Sequence, residues 1–550
     1  MPENVLTVRN LEIEARDRHA QTGWKRIVDD ISFDLPRGSV LGLIGESGAG
    51  KSTIGLAALG YTRAGCRFGT GSSVILGSNE MTALTPLQAA ALRGREVAYI
   101  AQSAAASFSP TYRLIDQICD VPVRRGLMRR DAARDRSREL FHRLHLPDPE
   151  IFGERYPHQV SGGQLQRAMI AMALFNNPDL VVFDEPTTAL DVVTQVEVLL
   201  IAREIIAEFN VAALYISHDL SVVAQIADEV IVLKDGREVE FDDTRTIIEN
   251  PEQAYTKALV TNDFGVKNDA ELDTSGMTDT ALQVRSVTAG YTPESAVLSN
   301  VDVTLKRGKV LAIVGESGSG KSTLARVITG LLPARSGQIL LDDAPLAADL
   351  RDRSHSDVSK IQLIHQLPDT ALNPRMRIGS ILDRAIRVFR KVPKTVRGEI
   401  ARELMAAVRL DADLLTRYPS QLSGGQKQRV CIARALAAEP EVLVCDEVTS
   451  ALDRLVAIDV LAQLEELRVL KNLSVIMITH DMSVVRAVAD EVCILLQGEV
   501  VEFGPTDEVL SEPYGHDYTE RLLTSVPKLE VDWLDGYLAG RVRQPMTDVR

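Results

Sequence analysis

Four short apolar runs stand out because they do not alternate with polar positions: Val40-Leu41-Gly42-Leu43-Ile44, Leu180-Val181-Val182-Phe183, Val310-Leu311-Ala312-Ile313-Val314 and Val442-Leu443-Val444-Cys445. In a strand, successive side chains point to opposite faces of the sheet, so an unbroken apolar run requires burial on both faces. The runs therefore predict parallel strands at the centre of an α/β core. Helical patterns follow the first and third runs, at residues 54–59 and 324–328. Residues 263–280 are rich in Asp, Asn, Thr, Ser and Gly with no apolar period, so they read as a linker. Nowhere does the chain present the ~18–20 consecutive apolar residues of a membrane span, and Met1-Pro2-Glu3-Asn4 lacks the basic and apolar start of a secretory signal. A cytosolic location is expected.

The pattern occurs twice. Gly45-Glu46-Ser47-Gly48-Ala49-Gly50-Lys51-Ser52-Thr53 returns as Gly315-Glu316-Ser317-Gly318-Ser319-Gly320-Lys321-Ser322-Thr323, 270 residues later. Ser161-Gly162-Gly163-Gln164 returns as Ser423-Gly424-Gly425-Gln426, and Asp184-Glu185 and His218 return as Asp446-Glu447 and His480, all 262 residues later. Four motifs copied in order and spacing describe a duplicated domain, far longer than a solenoid repeat. The division this predicts is a first domain at 1–262, the linker at 263–280, a second domain at 281–527 and a polar tail at 528–550.

Each G-x-x-x-x-G-K-S lies between an apolar strand and a helix, the context that identifies a phosphate-binding loop. Its glycines let backbone N–H groups turn inward around an anion, and the helix N-terminus adds partial positive charge. Lys51 and Lys321 are expected to reach the β and γ phosphates, and Ser52 and Ser322 to ligate Mg²⁺. The second apolar run of each copy ends in paired carboxylates at the carboxyl edge of the sheet, where open α/β sheets bind ligands. Asp184 and Asp446 are expected to hold Mg²⁺, with Glu185 and Glu447 as general bases toward water.

The Ser-Gly-Gly-Gln segments resemble the signature motif of ATP-binding-cassette (ABC) proteins, with Val160 replacing the usual leucine in the first copy. Gln102 and Gln366 resemble that family's Q-loop glutamines, Ala189-Leu190-Asp191 and Ala451-Leu452-Asp453 its D-loops, and His218 and His480 its switch histidines. The resemblance implies two P-loop cassettes. Each would have a RecA-like parallel core, an antiparallel β subdomain and a helical subdomain. It also implies two ATP molecules shared between halves: Lys51, Ser52, Gln102, Asp184, Glu185 and His218 with Ser423, Gly424 and Gly425, and Lys321, Ser322, Gln366, Asp446, Glu447 and His480 with Ser161, Gly162 and Gly163. Gln102 and Gln366 would join the Mg²⁺ ligands. Cassettes usually stack adenine on an aromatic residue ahead of the phosphate loop. Tyr291 suits this in the second copy, whereas the first has Ala15 there and offers Trp24 as a substitute.

Asp184-Glu185-Pro186-Thr187-Thr188 and Asp446-Glu447-Val448-Thr449-Ser450 resemble the first and second ATPases of the peptide and nickel importer branch. Ala371-Leu372-Asn373-Pro374 fits that branch, as does Tyr255-Thr256 near the end of copy one, echoed by Tyr518-Thr519. The implied function is ATP hydrolysis that energises import of peptides or related solutes. The implied partners are two permease subunits and a solute-binding protein, on the cytoplasmic face of a bacterial inner membrane. A sugar-importer ATPase and a ribosome-associated twin cassette are the alternatives.

Composition adds limits. The net charge of −15 opposes a nucleic-acid partner, whose affinity would rest on clustered Lys and Arg. Residues 124–143 carry eight arginines on a predicted helix, read as a solvated face or, alternatively, a contact for anionic lipid or a permease loop. Five scattered cysteines without a C-x-x-C pair suit reduced thiols that fill space, and no iron–sulfur cofactor is expected.

Overall fold

The structure is a computed structural model that describes residues 3–17, 23–188, 190–261, 279–450 and 452–543. The linker lies almost wholly outside the described residues, as do Ala189 and Ala451 of the two D-loop segments. Contacts divide the chain into two compact units. The first runs to Leu190, resumes at Thr194, continues to the linker, and takes up the chain again from Pro527; the second holds Asp191–Val193 and the stretch that ends at Val526.

Each unit is built around a six-stranded sheet. In the first, the order is Arg237–Asp243, Glu229–Lys234, Val40–Gly45, Ala212–Ile216, Leu180–Asp184 and Val97–Ile100. All neighbours pair in parallel except the edge strand Arg237–Asp243. The second unit repeats the order with Glu499–Pro505, Glu491–Leu496, Val310–Val314, Ser474–Ile478, Val442–Asp446 and Ile361–Ile364. The four apolar runs are the strands expected of them, and residues 40–45, 180–184 and 310–314 are buried throughout. A smaller antiparallel sheet packs on each core through Asn4–Arg16 and Trp24–Pro36, or Thr280–Ala289 and Leu298–Lys306.

The helical parts follow from amphipathic spacing. Helix Ile378–Phe389 buries Ile378, Ile381, Leu382, Ala385 and Ile386, the i, i+3, i+4, i+7, i+8 stripe of a surface helix. These contact Met405, Val430 and neighbouring core residues, and each fully buried aliphatic side chain contributes roughly 1.5–3 kcal/mol. In the first unit, Leu114–Arg124 buries Leu114, Ile115, Ile118 and Cys119 against the corresponding layer.

The arginine-rich segment spans Leu114–Arg124 and Arg130–Arg143, and its charges are largely answered within the unit. Arg130 pairs with Asp116, Arg134 with Asp116 and Glu154, Arg136 with Glu139, Arg138 with Asp135 and Glu150, and Arg143 with Glu139 and Glu208. Arg125 donates to the carbonyls of Ala90 and Arg93. Four of the five cysteines are buried and Cys66 is half-buried.

The segment after Pro527 packs on the first unit. The buried Gln225 side chain donates to the carbonyls of Lys528 and Glu530, each at 2.9 Å, and accepts from the Leu534 amide at 3.0 Å. Leu534 is fully buried at the start of helix Trp533–Arg543, while Asp532 and Asp535 pair with Arg245 and Arg203.

Candidate functional site

The phosphate loops join buried strands to eight-residue helices, Lys51–Ala58 and Lys321–Ile328. Gly50 and Gly320 begin these helices with φ of 99° and 108°, a backbone region that L side chains rarely adopt. Ser47-Gly48 and Ser317-Gly318 stand exposed at the loop crests. The Lys51 amine lies over its loop, donating to the carbonyls of Gly45 at 2.5 Å and Glu46 at 3.0 Å; Lys321 does the same to Gly315 and Glu316 at 2.7 and 2.8 Å. The Ser52 hydroxyl donates to Asp184 at 2.8 Å, and that of Ser322 to Asp446 at 3.1 Å. In each unit the structure thus brings loop and acidic strand end together.

The acid–base pair is equally well repeated. Gln102 donates its amide to Glu185 at 2.8 Å, and Gln366 to Glu447 at 2.6 Å. Nδ1 of His218 lies 3.3 Å from the Glu185 carboxylate, and that of His480 lies 3.4 Å from Glu447. Both glutamates sit at φ near +50°, uncommon for non-glycine residues and concentrated at functional sites. Burial alone would raise their pKa values, but the histidine's hydrogen bond and charge, with the loop lysine nearby, outweigh it and hold both below the ordinary carboxylate value. The histidines behave reciprocally: burial lowers them, and the bonded glutamate raises them above the ordinary imidazole value. Asp184 and Asp446 are raised by burial, although Tyr99 and Ser52 pull Asp184 back, as Ser322 does Asp446.

The Ser-Gly-Gly-Gln segments form capping boxes. Ser161 accepts from the Gln164 amide at 3.2 Å while Gln164 accepts from the Ser161 amide at 3.1 Å, opening helix Gly162–Leu174. Ser423 and Gln426 repeat this at 3.3 and 3.0 Å before Gly424–Leu436. The two glycines differ in kind. A Cβ on Gly163 would meet Thr194 at 2.2 Å and one on Gly425 would meet Val456 at 2.6 Å, so packing demands glycine there. On Gly162 or Gly424 the nearest atom would be 3.7 or 3.9 Å away, so neither is required by its own unit's packing. Ser161, Gly162, Ser423 and Gly424 are all exposed.

The adenine-stacking candidates part company. Tyr291 is 55% exposed, and its hydroxyl accepts from Arg326 at 2.6 Å and lies 3.4 Å from that of Thr323, in the loop helix. Trp24 instead has the Arg67 guanidinium 4.0 Å above its ring and Arg16 within 5.7 Å, while Ala15 sits in the strand opposite Lys25 and Cys66. Several contacts at the sites were not foreseen. The Tyr99 hydroxyl donates to Asp184, and Thr188 donates to Glu185 at 3.1 Å. The Glu46 amide donates to the Tyr255 hydroxyl, and that of Glu316 to Tyr518. The Tyr-Thr echo near the two domain ends was the visible signal for the last pair.

The sequence that builds these contacts has close parallels. Residues 28–188 and 298–450 each match the ABC transporter family, and residues 501–548 match the oligopeptide/dipeptide transporter C-terminal region. An Escherichia coli K12 protein named as an uncharacterized ABC transporter ATP-binding protein, YejF, is 36% identical over 95% of this chain and 99% of its own length. The peptidoglycan transport ATP-binding protein YejF of Agrobacterium fabrum is 33% identical over 96% and 97%, and the glutathione import ATP-binding protein GsiA of E. coli K12 is 32% identical over 96% and 90%. With a complete set of phosphate-loop, carboxylate, glutamine and histidine contacts in each unit, the chain belongs to the ABC transporter family, as an ATPase carrying two cassettes in one polypeptide.

Proposed function

We propose that this ATPase energises the uptake of peptides or related small solutes, hydrolysing ATP at the contact set that each of its two cassettes carries. The observation that carries the catalytic part is the Gln–Glu–His contact set, present twice with distances that agree to within about 0.2 Å. Support for the solute class comes from the full-length likeness to a glutathione import protein and from the match at residues 501–548.

The residues fit a Mg²⁺–nucleotide. Ser52 with Asp184 and Ser322 with Asp446 present hydroxyl and carboxylate oxygens side by side, and Gln102 and Gln366 add amide oxygens, the hard donors that Mg²⁺ prefers. When bound there, the ion would supply charge neutralisation at the β and γ phosphates. Lys51 and Lys321 bind the same phosphates with a fixed positive charge. Glu185 and Glu447, ionised because the histidines hold their pKa values down, accept the proton of the attacking water. His218 and His480 orient those carboxylates, and Gln102 and Gln366 fix their second contact. Exposed Ser161-Gly162 and Ser423-Gly424, at helix starts, offer an anion cradle suited to a nucleotide phosphate. Hydrolysis removes the γ phosphate, a switch two permease subunits would read.

Among the described residues, no helix is long and apolar enough to cross a membrane. By likeness to a glutathione import ATP-binding protein, the proposed position is peripheral, on the cytoplasmic face of an inner membrane and held there by the permeases, with a solute-binding protein delivering cargo. The test is purification of the intact assembly in lipid discs, with ATPase rates measured against a panel of peptides, glutathione, sugars and nickel presented on the co-purified binding protein. Stimulation by peptides or glutathione is the expected result. Stimulation by sugars alone, or recovery of the chain with ribosomes in place of membrane subunits, would refute the import reading.

A further inference from the structure

Beyond the loop, carboxylate, glutamine and histidine motifs, each cassette carries a tyrosine that touches its phosphate loop. In the first unit, helix Ala254–Val260 places the Tyr255 hydroxyl where it accepts the Glu46 amide at 3.2 Å; in the second, helix Asp517–Thr524 places the Tyr518 hydroxyl on the Glu316 amide at 2.8 Å. Glu46 and Glu316 directly follow the first glycine of each loop, and their carbonyls receive the loop lysine's amine. One peptide segment is thereby held from both sides: its N–H by a phenol from a distant helix, its carbonyl by the lysine meant for phosphate.

The helices bearing these tyrosines are themselves tied down. In the first unit, Glu240 accepts the amides of Glu252 and Gln253 just before Ala254–Val260, and Lys234 lies 4.8 Å from the Tyr255 ring. In the second, Glu502, at the position matching Glu240, accepts the Thr519 hydroxyl, while Leu496, at the position matching Lys234, packs in the cluster that contains Tyr518 and Leu522. Support for the ring differs between copies, polar in one and apolar in the other. The hydroxyl-to-amide contact is the part both keep. Packing alone would be served by phenylalanine, so the preserved feature is the hydrogen bond.

We propose that Tyr255 and Tyr518 are positioning residues for nucleotide: each hydroxyl pins the opening turn of its phosphate loop, so that the helix near each cassette's end sets how tightly that loop holds phosphate. Tyr518 lies within the segment matched by the transporter C-terminal region, which gives that segment a task inside its own cassette. The proposal uses only contacts within each unit and is independent of the solute and of how the halves assemble.

The test uses the full chain with Tyr255→Phe, Tyr518→Phe and both. MgADP affinity by calorimetry, KM and kcat for ATP, and amide exchange by mass spectrometry are compared with the parent. Losing one neutral hydrogen bond predicts about fivefold weaker nucleotide binding at the altered site and a similar rise in KM, with kcat at saturating ATP within about twofold. Amide exchange should quicken in residues 45–52 of Tyr255→Phe and 315–322 of Tyr518→Phe, and in the unaltered loop it should stay at the parent rate. Affinity and loop exchange equal to the parent in both single variants would overturn the proposal. So would a fall in kcat with KM unchanged, since that would place the hydroxyls in the chemical step.

Discussion

The two aspartates that end the acidic strands, set side by side, separate what the duplication kept from what it let go. Asp184 receives two hydroxyls, from Ser52 and from Tyr99; Asp446 receives that of Ser322, and Leu363 stands where Tyr99 does. Strand register fixes the equivalence: Tyr99 is opposite Val182, two residues before Asp184, and Leu363 is opposite Val444, two before Asp446. Contacts made by the loop lysines, Q-loop glutamines, glutamates and histidines repeat almost unchanged. The surroundings diverge at Tyr99 and Leu363, at Trp24 and Tyr291, and at Gln225, whose counterpart is Ala487. The residues proposed to meet ATP make the same contacts in both units, and the residues behind them differ.

The comparison breaks most decisively if the two glutamates prove unequal. Glu185→Gln and Glu447→Gln should each bind ATP normally, and together they should slow hydrolysis by about 10²–10⁴-fold, the usual loss on removing a general base. Single-turnover rates for each single variant would show whether both sites fire, and a parent-like rate in the double variant would remove the assignment. A second contrast lies within the signature. Gly163→Ala and Gly425→Ala should lower unfolding free energy by roughly 1–3 kcal/mol by overpacking. Gly162→Ala and Gly424→Ala should leave the melting temperature near the parent and reduce ATPase activity. Equal destabilisation by all four would erase the distinction between packing and functional glycines.

Adenine recognition sharpens the comparison further. Tyr291→Ala should weaken ATP at the second site by about fivefold, a stacking loss of about 1 kcal/mol. Trp24→Ala, whose ring already faces Arg67, should change binding at the first site by less than twofold, as read by calorimetry. The smallest expected effect concerns pH. Each histidine's pKa is raised by its glutamate, so its stabilisation is complete below the ordinary imidazole value near 6.5 and is lost as pH rises through the raised value. Each glutamate's is lowered, so its share is complete above the ordinary carboxylate value and is lost as pH falls through the lowered one. The parent should therefore exceed His218→Gln with His480→Gln by on the order of 1 kcal/mol at mildly acidic pH. The margin should shrink toward pH 9, and thermal melts across the range would follow it.

The core and catalytic contacts were legible in the sequence because each depends on a local signal: an apolar run fixes a buried strand, and a glycine pattern fixes the loop at its end. Tyr99 was not, because its value depends on which strand lies beside Asp184, and register between distant strands leaves no mark in one chain. The pairing of the arginine-rich helices escaped for a similar reason. Asp116 lies on the preceding helix and Glu150, Glu154 and Glu208 on other parts of the chain, so charge counted along Arg130–Arg143 alone overstated what solvent meets. Gly163 shows the reverse case: the motif drew attention to both glycines, and only the position of Thr194 revealed that one of them answers to packing.

The buried anchor at Gln225 bears on how the polypeptide can be divided. A cut in the linker would leave residues 1–262 without Leu534 and the backbone groups that meet Gln225 and without Asp535 opposite Arg203, while Arg245 would keep Glu249 and lose Asp532. The severed back half would meanwhile carry a terminal helix whose Leu534 had lost its buried setting. Splitting the gene at its apparent midpoint therefore yields two damaged pieces, and a fair isolated front half would have to be a circular permutant or a fusion that carries the last two dozen residues with it.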